Sequence, residues 1–426
     1  MGATSDTQQV AGERMNTILK DDAEDLLLED SDPGEIIGRD EQKQELQKIA
    51  FDKIINGENP VSTVYIYGSS GTGKTYVVDK LRESIEPKLD PTKVSLQYVN
   101  GRRHKSFYQV MVRIWNNLSQ FLPVEVDGET FTEVKTRGFP GNKIYEIIRQ
   151  IVKKHNLTLQ VTLDEIDKIK EGHAQELIST FYDMKKEGLP VQLICISNDP
   201  YQTTRFDSDI KRRIGYEMHF PKYNAIQLKQ ILMKFADLAL KEDTWDEKPL
   251  SKIAAKIGQT SGSASEAKQL LYHTAVKSQG ELDPSNLNDA KEEVSKDMIR
   301  NEIITRPKHD MVTLQATAHL DCTSDWNKYG SDKYDMARKT GPTTANIHEK
   351  YKELCSKYDI DDVKSKKTVS RMLKNLQQDG IVDGDTRSGG RGSGISTFWE
   401  PLYDSSIIEE IVESKLGFDD EEEEEQ

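Results

Sequence analysis

The chain has 426 residues, 35% hydrophobic and 31% charged, with a formal net charge of −15. That length supports roughly three domains around a sizeable core, whereas no apolar run approaches the roughly 18 residues of a membrane span and no basic-then-apolar leader opens the chain. The expectation is a soluble, cytoplasmic protein with no membrane partner. Its three cysteines, Cys195, Cys322 and Cys355, lack CxxC or Cys/His spacing, which supports neither a disulfide framework nor a zinc site and makes structural thiols the expectation.

The charge is unevenly placed. Met1–Glu35 carries ten acidic and two basic residues and Tyr403–Gln426 eleven and one, leaving a body of net +3. Acidic ends therefore mask a balanced body that can present local basic patches to nucleic acid. Residues 1–34 are polar and poor in aromatics, a composition expected to stay disordered, with a short helix conceivable at Leu26–Leu28. Folding is expected to begin at the apolar pair and Gly-Arg turn of Glu35-Ile-Ile-Gly-Arg-Asp-Glu41, which leads into a helix through Lys53. Arg39 there suits either an adenine contact or pairing with the acidic residues beside it.

Val61–Lys80 reads VSTVYIYGSSGTGKTYVVDK. Its first half is a β-branched and aromatic strand, and Gly68, four residues, then Gly73-Lys74-Thr75 fit a phosphate-binding loop that opens a helix with Val77, Val78 and Leu81 inward. Glycines let backbone N–H groups close on phosphate oxygens. Lys74 would offset β- and γ-phosphate charge, and Thr75 would offer a hydroxyl to Mg²⁺. The nucleotide-contacting set is Gly68, Ser69, Ser70, Gly71, Thr72, Gly73, Lys74, Thr75 and Tyr76, with Ile37, Arg39 and Tyr223. ATP or ADP and Mg²⁺ are the expected cofactors.

Val94–Asn100 alternates as a second strand, and Ser106–Leu118 has helical spacing. Gly128–Gly141, with Lys135, Arg137 and Phe139, is expected to be a loop before a helix at Lys143–Lys154. Leu157–Asp167 (LTLQVTLDEID) places Asp164 and Glu165 at the end of a parallel strand. Asp164 suits Mg²⁺ with Thr75, and Glu165 suits polarising the attacking water. The strand Val191–Ser197 ends in Asn198, an amide that can orient water at the γ-phosphate without competing for the metal, or simply cap the next turn.

Taken in order, IIGRDE, GSSGTGKT, TLDEID, ISND, DIKRRIG and FPKYNAIQLKQIL resemble the AAA+ initiators of the archaeal origin-recognition and cell-division-cycle-six group over Glu35–Leu402. The resemblance implies an α/β AAA+ ATPase, a parallel-sheet base at 35–221 and an α-helical lid at 222–304, followed by an α+β winged-helix domain at 305–402 and an acidic tail at 403–426. It also implies replication initiation at origin double-stranded DNA, with the replicative helicase and other initiator copies as partners and a nucleoid-associated location. By position Lys74 and Thr75 match Walker A, Asp164 and Glu165 Walker B, and Asn198 sensor one. Arg213 matches the arginine offered to a neighbour's nucleotide, with Arg212 a close competitor. Where the family has Gly-Asp-x-Arg at a lid helix, this chain has Gly262-Ser263-Ala264-Ser265. Ser263 with Glu266 keeps a capping-box pattern, but Ser265 replaces the sensing arginine and Lys268 lies one turn on. Slow hydrolysis with binding retained is the expectation; a nucleotide-bound DNA scaffold with little turnover is the alternative.

Near the C-terminus helices are expected at Met311–Leu320, Thr343–Tyr358 and Val363–Gln378. In the third, Val369, Met372, Leu373 and Leu376 form an apolar stripe opposite Lys367, Ser370, Arg371 and Lys374, with Lys366 at the flank, a face suited to the major groove. Residues 387–394, with Arg387 and Arg391, read as a Gly-rich wing tip for phosphates. Leu320–Pro342 has no clear period. Ser406–Leu416 can form an amphipathic helix before the acidic end.

Overall fold

The computed structural model describes residues 18–29, 31–120, 124–126, 129–131, 141–323, 342–388 and 395–417. Two compact units divide it, Met1–Ala290 and Lys291–Gln426.

In the first unit, strands β1 (Thr63–Tyr67), β2 (Val94–Asn100), β5 (Thr158–Asp164), β6 (Val191–Ser197) and β7 (Tyr216–His219) form a parallel sheet ordered β2-β5-β6-β1-β7. A parallel sheet needs both faces covered, and β6 shows why an uninterrupted apolar run suits that place. Val191, Leu193 and Cys195 enter one core and Ile194 and Ile196 the other. Helices α2 (Asp40–Leu46) and α3 (Lys74–Ile85) contribute to the second core. Helices α4 (Phe107–Ser119), α5 (Gly141–His155) and α6 (Glu171–Lys186) contribute to the first, and α7 (Ser208–Arg213) follows β6. Because every strand runs the same way, the loops after β1, β2, β5 and β6 emerge along one edge of the sheet. Strands β3 (Val124–Val126) and β4 (Glu129–Phe131) pair as an antiparallel hairpin. Part of the stretch expected as loop is therefore strand, whereas Lys135, Arg137 and Phe139 lie outside the described residues.

Where the lid is expected, three helices follow the sheet, α8 (Ala225–Ala239), α9 (Glu247–Gly258) and α10 (Ala264–Val276). The acidic N-terminal segment, expected to be disordered apart from a short helix at Leu26–Leu28, is more ordered than that over its described part. Helix α1 (Ala23–Leu28) packs on α8 and α10 with Ala23 and Leu27 buried. Leu19 bridges Leu240, and Lys20 N donates to Ala239 O at 2.9 Å. Average composition hid the reason: a few apolar side chains, among them Ile18, find a prepared lid surface, and that burial offsets the ordering entropy.

The second unit holds α12 (Lys308–Thr323), α13 (Thr344–Lys357), α14 (Lys366–Gln378), the antiparallel hairpin β8 (Val382–Ser388) with β9 (Ile395–Pro401), and α15 (Ser405–Gly417). Helix α12 is buried nearly all round, with Val312, Leu314, Ala316 and Leu320 in the core and Thr313 and Thr317 also buried, as befits the central helix of a small bundle. Two expected boundaries move. The preceding helix α11 (Leu287–Ile304) crosses the division between units, because Ile299 and Ile303 join the second core. Tyr403–Gly417 is no tail: Ile408, Ile411, Val412 and Leu416 are buried in that same core. Cys195 and Cys355 are buried free thiols.

Candidate functional site

The phosphate loop joins β1 to α3. Gly71 and Gly73 have φ of 71° and 83°, the left-handed region that glycine enters at least cost, and Gly73 caps α3 so that its first N–H groups face the loop. Lys74 is 4% exposed, and its ammonium donates to Gly68 O and Ser69 O, both at 2.8 Å. Burial lowers its pKa to about 8, with Asp164 and Asp167 pulling the other way.

The β5 end meets this loop although β6 lies between β1 and β5. Thr75 Oγ1 donates to Asp164 Oδ2 at 3.0 Å, Tyr98 Oη donates to the same oxygen at 2.8 Å, and Asp164 is 5% exposed. A hydroxyl and one carboxylate suit Mg²⁺, which takes its remaining ligands from water and phosphate. Among the described residues no cluster of three or more His, Cys, Asp or Glu offers an all-protein metal site. Glu165 has φ 50° and ψ 45°, costly for a residue with a Cβ and common where function fixes the backbone. Arg102 Nε donates to its Oε2 at 3.1 Å. At the β6 end Asn198 N donates to Asp167 Oδ1 at 2.9 Å, tying that strand to the turn after β5.

These ends open on a cavity of about 650 Å³. Ser70, Gly71, Thr72, Gly73, Lys74, Thr75, Tyr76, Ile37, Tyr223, Asp164, Glu165 and Asn198 line it; Gly68 and Ser69 do not, and reach Lys74 through their carbonyls. Arg39 is not paired with the acidic residues beside it, as one of its two readings had it. It is 2% exposed and off the cavity wall, donating to Thr72 O at 2.9 Å and Pro221 O at 2.5 Å with its guanidinium 3.8 Å from the Tyr223 ring centroid. It fastens the phosphate loop to the start of the lid. Sequence reasoning missed Asp32, Asp79, Tyr98, Asn100 and Phe235 on the wall; for Asn100 the signal was available, since β2 ends beside β5.

From the lid, Ala264 and Ser265 enter the cavity at the start of α10, where Ala264 N donates to Gly71 O at 2.9 Å. Ser263 caps this helix by accepting from Glu266 N at 3.3 Å, but the reciprocal half of the expected box is replaced: Glu266 accepts from Ser261 Oγ, and Ser261 receives Ser263 N. Lys268 is 8% exposed and donates to Glu29 O at 2.7 Å, 4.7 Å from the Phe235 ring centroid. Arg213 stands away from the cavity, 5.4 Å from the Tyr182 centroid and 3.7 Å from Asp183. Arg212 pairs with Asp209 and is the more exposed, 72% against 30%.

In the second unit α14 buries Val369, Leu373 and Leu376 and leaves Lys366, Lys367, Arg371 and Lys374 exposed, with Ser370 half-buried. Ser365 caps it, accepting from Thr368 N. Spacings of four and three residues put Lys367, Arg371 and Lys374 on one face. Arg387 lies in β8, with its side chain outside what the structure describes, and Arg391 lies outside the described residues.

Comparison with known proteins fits this anatomy. Residues 35–194 match the AAA ATPase domain model and residues 334–411 the CDC6 C-terminal winged-helix domain model, together more than half of the chain. The Halobacterium salinarum ORC1-type DNA replication protein 10 is 25% identical over 397 residues, covering 90% of each chain. The chain pairs an AAA ATPase domain with a CDC6-type winged-helix domain and is similar to archaeal ORC1-type replication proteins. The Sulfolobus acidocaldarius ORC1-type DNA replication protein 1 is 26% identical over 404 residues and 92% of each chain. In fold, the chain is similar to the Aeropyrum pernix ORC1 protein solved in complex with DNA, with a TM-score of 0.69, 24% identity and coverage of 92% of this chain and 96% of that one. The winged-helix match runs to residue 411, into α15, in keeping with that helix being part of the domain. Among the described residues no helix is long and apolar enough to cross a membrane.

Proposed function

We propose that this chain is an ATP-dependent DNA-replication initiator that binds origin duplex through its winged helix and uses the bound nucleotide as a switch. The observation that carries the reading is the row Lys367, Arg371 and Lys374, exposed on the third helix of a winged-helix unit, in a chain whose other unit converges Lys74, Thr75 and Asp164 on one cavity. Such a row supplies phosphate and base contacts in the major groove. Mg²⁺ held by Thr75 and Asp164 would neutralise charge on the phosphates. Lys74 would release its loop carbonyls and turn its ammonium to β- and γ-oxygens. Glu165 would take the proton of the attacking water, and the Asn198 amide would hold that water in line.

With Ser265 where a lid arginine is expected, the lid gains less from a γ-phosphate, so ATP and ADP states differ less and turnover is slow. That favours, as a second reading, a DNA-bound scaffold that keeps its nucleotide. Further initiator copies, addressed through Arg213 or the more exposed Arg212, and the replicative helicase are the expected partners, with the cytoplasm and its nucleoid the place of action.

Duplex affinity and footprints, measured with ATP and with ADP for wild type, Lys74→Ala and Lys367→Ala/Arg371→Ala, test this. The initiator reading expects nucleotide-dependent footprints on repeats beside a replication start, lost affinity in the double variant, and a salt slope lower by about one per phosphate contact removed. Equal footprints in every nucleotide state favour the scaffold. Unchanged duplex binding by the double variant overturns the groove-binding role.

A further inference from the structure

The described N-terminal residues end as a bridge across the cavity mouth, a placement that no motif announces. On the lid side, the ammonium of Lys268 donates to Glu29 O at 2.7 Å and reaches Ser31 Oγ at 3.3 Å, while its stem lies against Phe235. On the base side, Tyr76 Oη donates to Asp32 Oδ1 at 2.7 Å and Lys80 pairs with the same carboxylate. Gly34 N also donates to Asp32 Oδ1, at 2.8 Å, which fixes the turn. Between the two anchors Ser31, Asp32 and Pro33 line the cavity.

Tyr76 and Lys80 lie two and six residues beyond Lys74 on α3, up to about 9 Å along the axis from the phosphate end. The anchors stand beside Phe235, on which the Lys268 stem lies, and beside Glu35, whose carbonyl accepts from Tyr76 Oη at 3.4 Å two residues before Ile37; Phe235 and Ile37 line the cavity and are apolar, which suits a nucleoside rather than its phosphates.

The geometry points to the described residues 18–29 and 31–33 as a nucleotide-retention strap, with Lys268 as the positioning residue that holds it from the lid. Lys268 thus acts on the nucleoside end through the strap and does not stand in for the arginine missing at Ser265. This rests on the cavity being a nucleotide site.

The test is the release rate of fluorescent mant-ADP and mant-ATP from the full-length protein, by stopped-flow displacement, for wild type, Asp32→Ala, Lys268→Met and the double variant. Asp32 is half-exposed, so its variant keeps the experiment readable should Lys268→Met not fold. The strap expects release at least tenfold faster in each single variant, equally for ADP and ATP, with the double variant within twofold of the faster single because both open one latch. Backbone amides of residues 19–29 lose hydrogen-exchange protection in both variants. Release within twofold of wild type in Asp32→Ala overturns the strap, and so does a Lys268→Met effect confined to ATP, which would make Lys268 a phosphate sensor. Wild type that holds neither nucleotide at millimolar concentration overturns the reading of the cavity itself, a distinguishable outcome.

Discussion

Arg102 holds Glu165: its Nε lies 3.1 Å from Oε2, with the arginine half-exposed and the carboxylate largely covered. A carboxylate engaged by a guanidinium has one oxygen fewer with which to accept a proton from water. Arg102→Ala is expected to raise single-turnover hydrolysis about three- to tenfold at saturating ATP, with nucleotide affinity unchanged. Quenched-flow measurement of the first turnover checks this, and a slower first turnover would assign Arg102 to charge stabilisation instead.

Lys74 predicts a pH dependence with a definite sign. Burial lowers its pKa to about 8, so the ammonium that must face phosphate is increasingly neutral above that pH. Nucleotide affinity should weaken as pH rises from 7 to 9, approaching roughly tenfold per unit above pH 8, with proton uptake on binding. Ligand-free stability moves the opposite way: between about 8 and the unfolded lysine value of roughly 10.4 the unfolded state binds more protons, so this group's contribution rises with pH. Calorimetric titration in two buffers of different ionisation enthalpy reads the uptake, and Lys74→Arg should flatten it.

Ser265→Arg tests the lid. The position lines the cavity at the start of α10, so a guanidinium there can meet a terminal phosphate. The expected result is a gain of about five- to thirtyfold in preference for ATP over ADP, since a charge-assisted contact contributes about 1–2 kcal/mol. Equal gains for both nucleotides would place the new charge away from the γ-phosphate.

The domain boundary has its own test. Ending the chain after Leu402 removes Ile408, Ile411, Val412 and Leu416, each worth about 1.5–3 kcal/mol when fully buried. The truncated protein should lose the cooperative unfolding of its C-terminal unit and its duplex binding together, whereas a chain ending at Gly417 keeps both. Calorimetry with a duplex-binding assay separates the outcomes.

What sequence revealed and what it withheld divide by range. The phosphate loop, the carboxylates after β5 and the basic face of α14 are local patterns, visible because their spacing is dictated by one turn or one helix face. Arg39 was ambiguous because its partners, Thr72 O, Pro221 O and Tyr223, are up to about 180 residues away and two of them are backbone carbonyls, which leave no trace in composition. Asp32 was lost for a related reason: averaging over an acidic segment conceals one carboxylate with two specific partners. In α15 the amphipathic period was legible, but which surface its apolar side would cover was not, since the receiving core is assembled from α12, α13 and the hairpin.

Gly71 and Ser263 fit together so closely that a β-carbon at 71 would stand 2.0 Å from the serine hydroxyl. Cradle and cap are therefore matched castings, and a chimaera carrying a cap borrowed from a relative would seat or jam on that single hydroxymethyl group. Transplanting the missing arginine thus calls for exchanging only the side chain at 265, leaving the mating surface at 263 untouched.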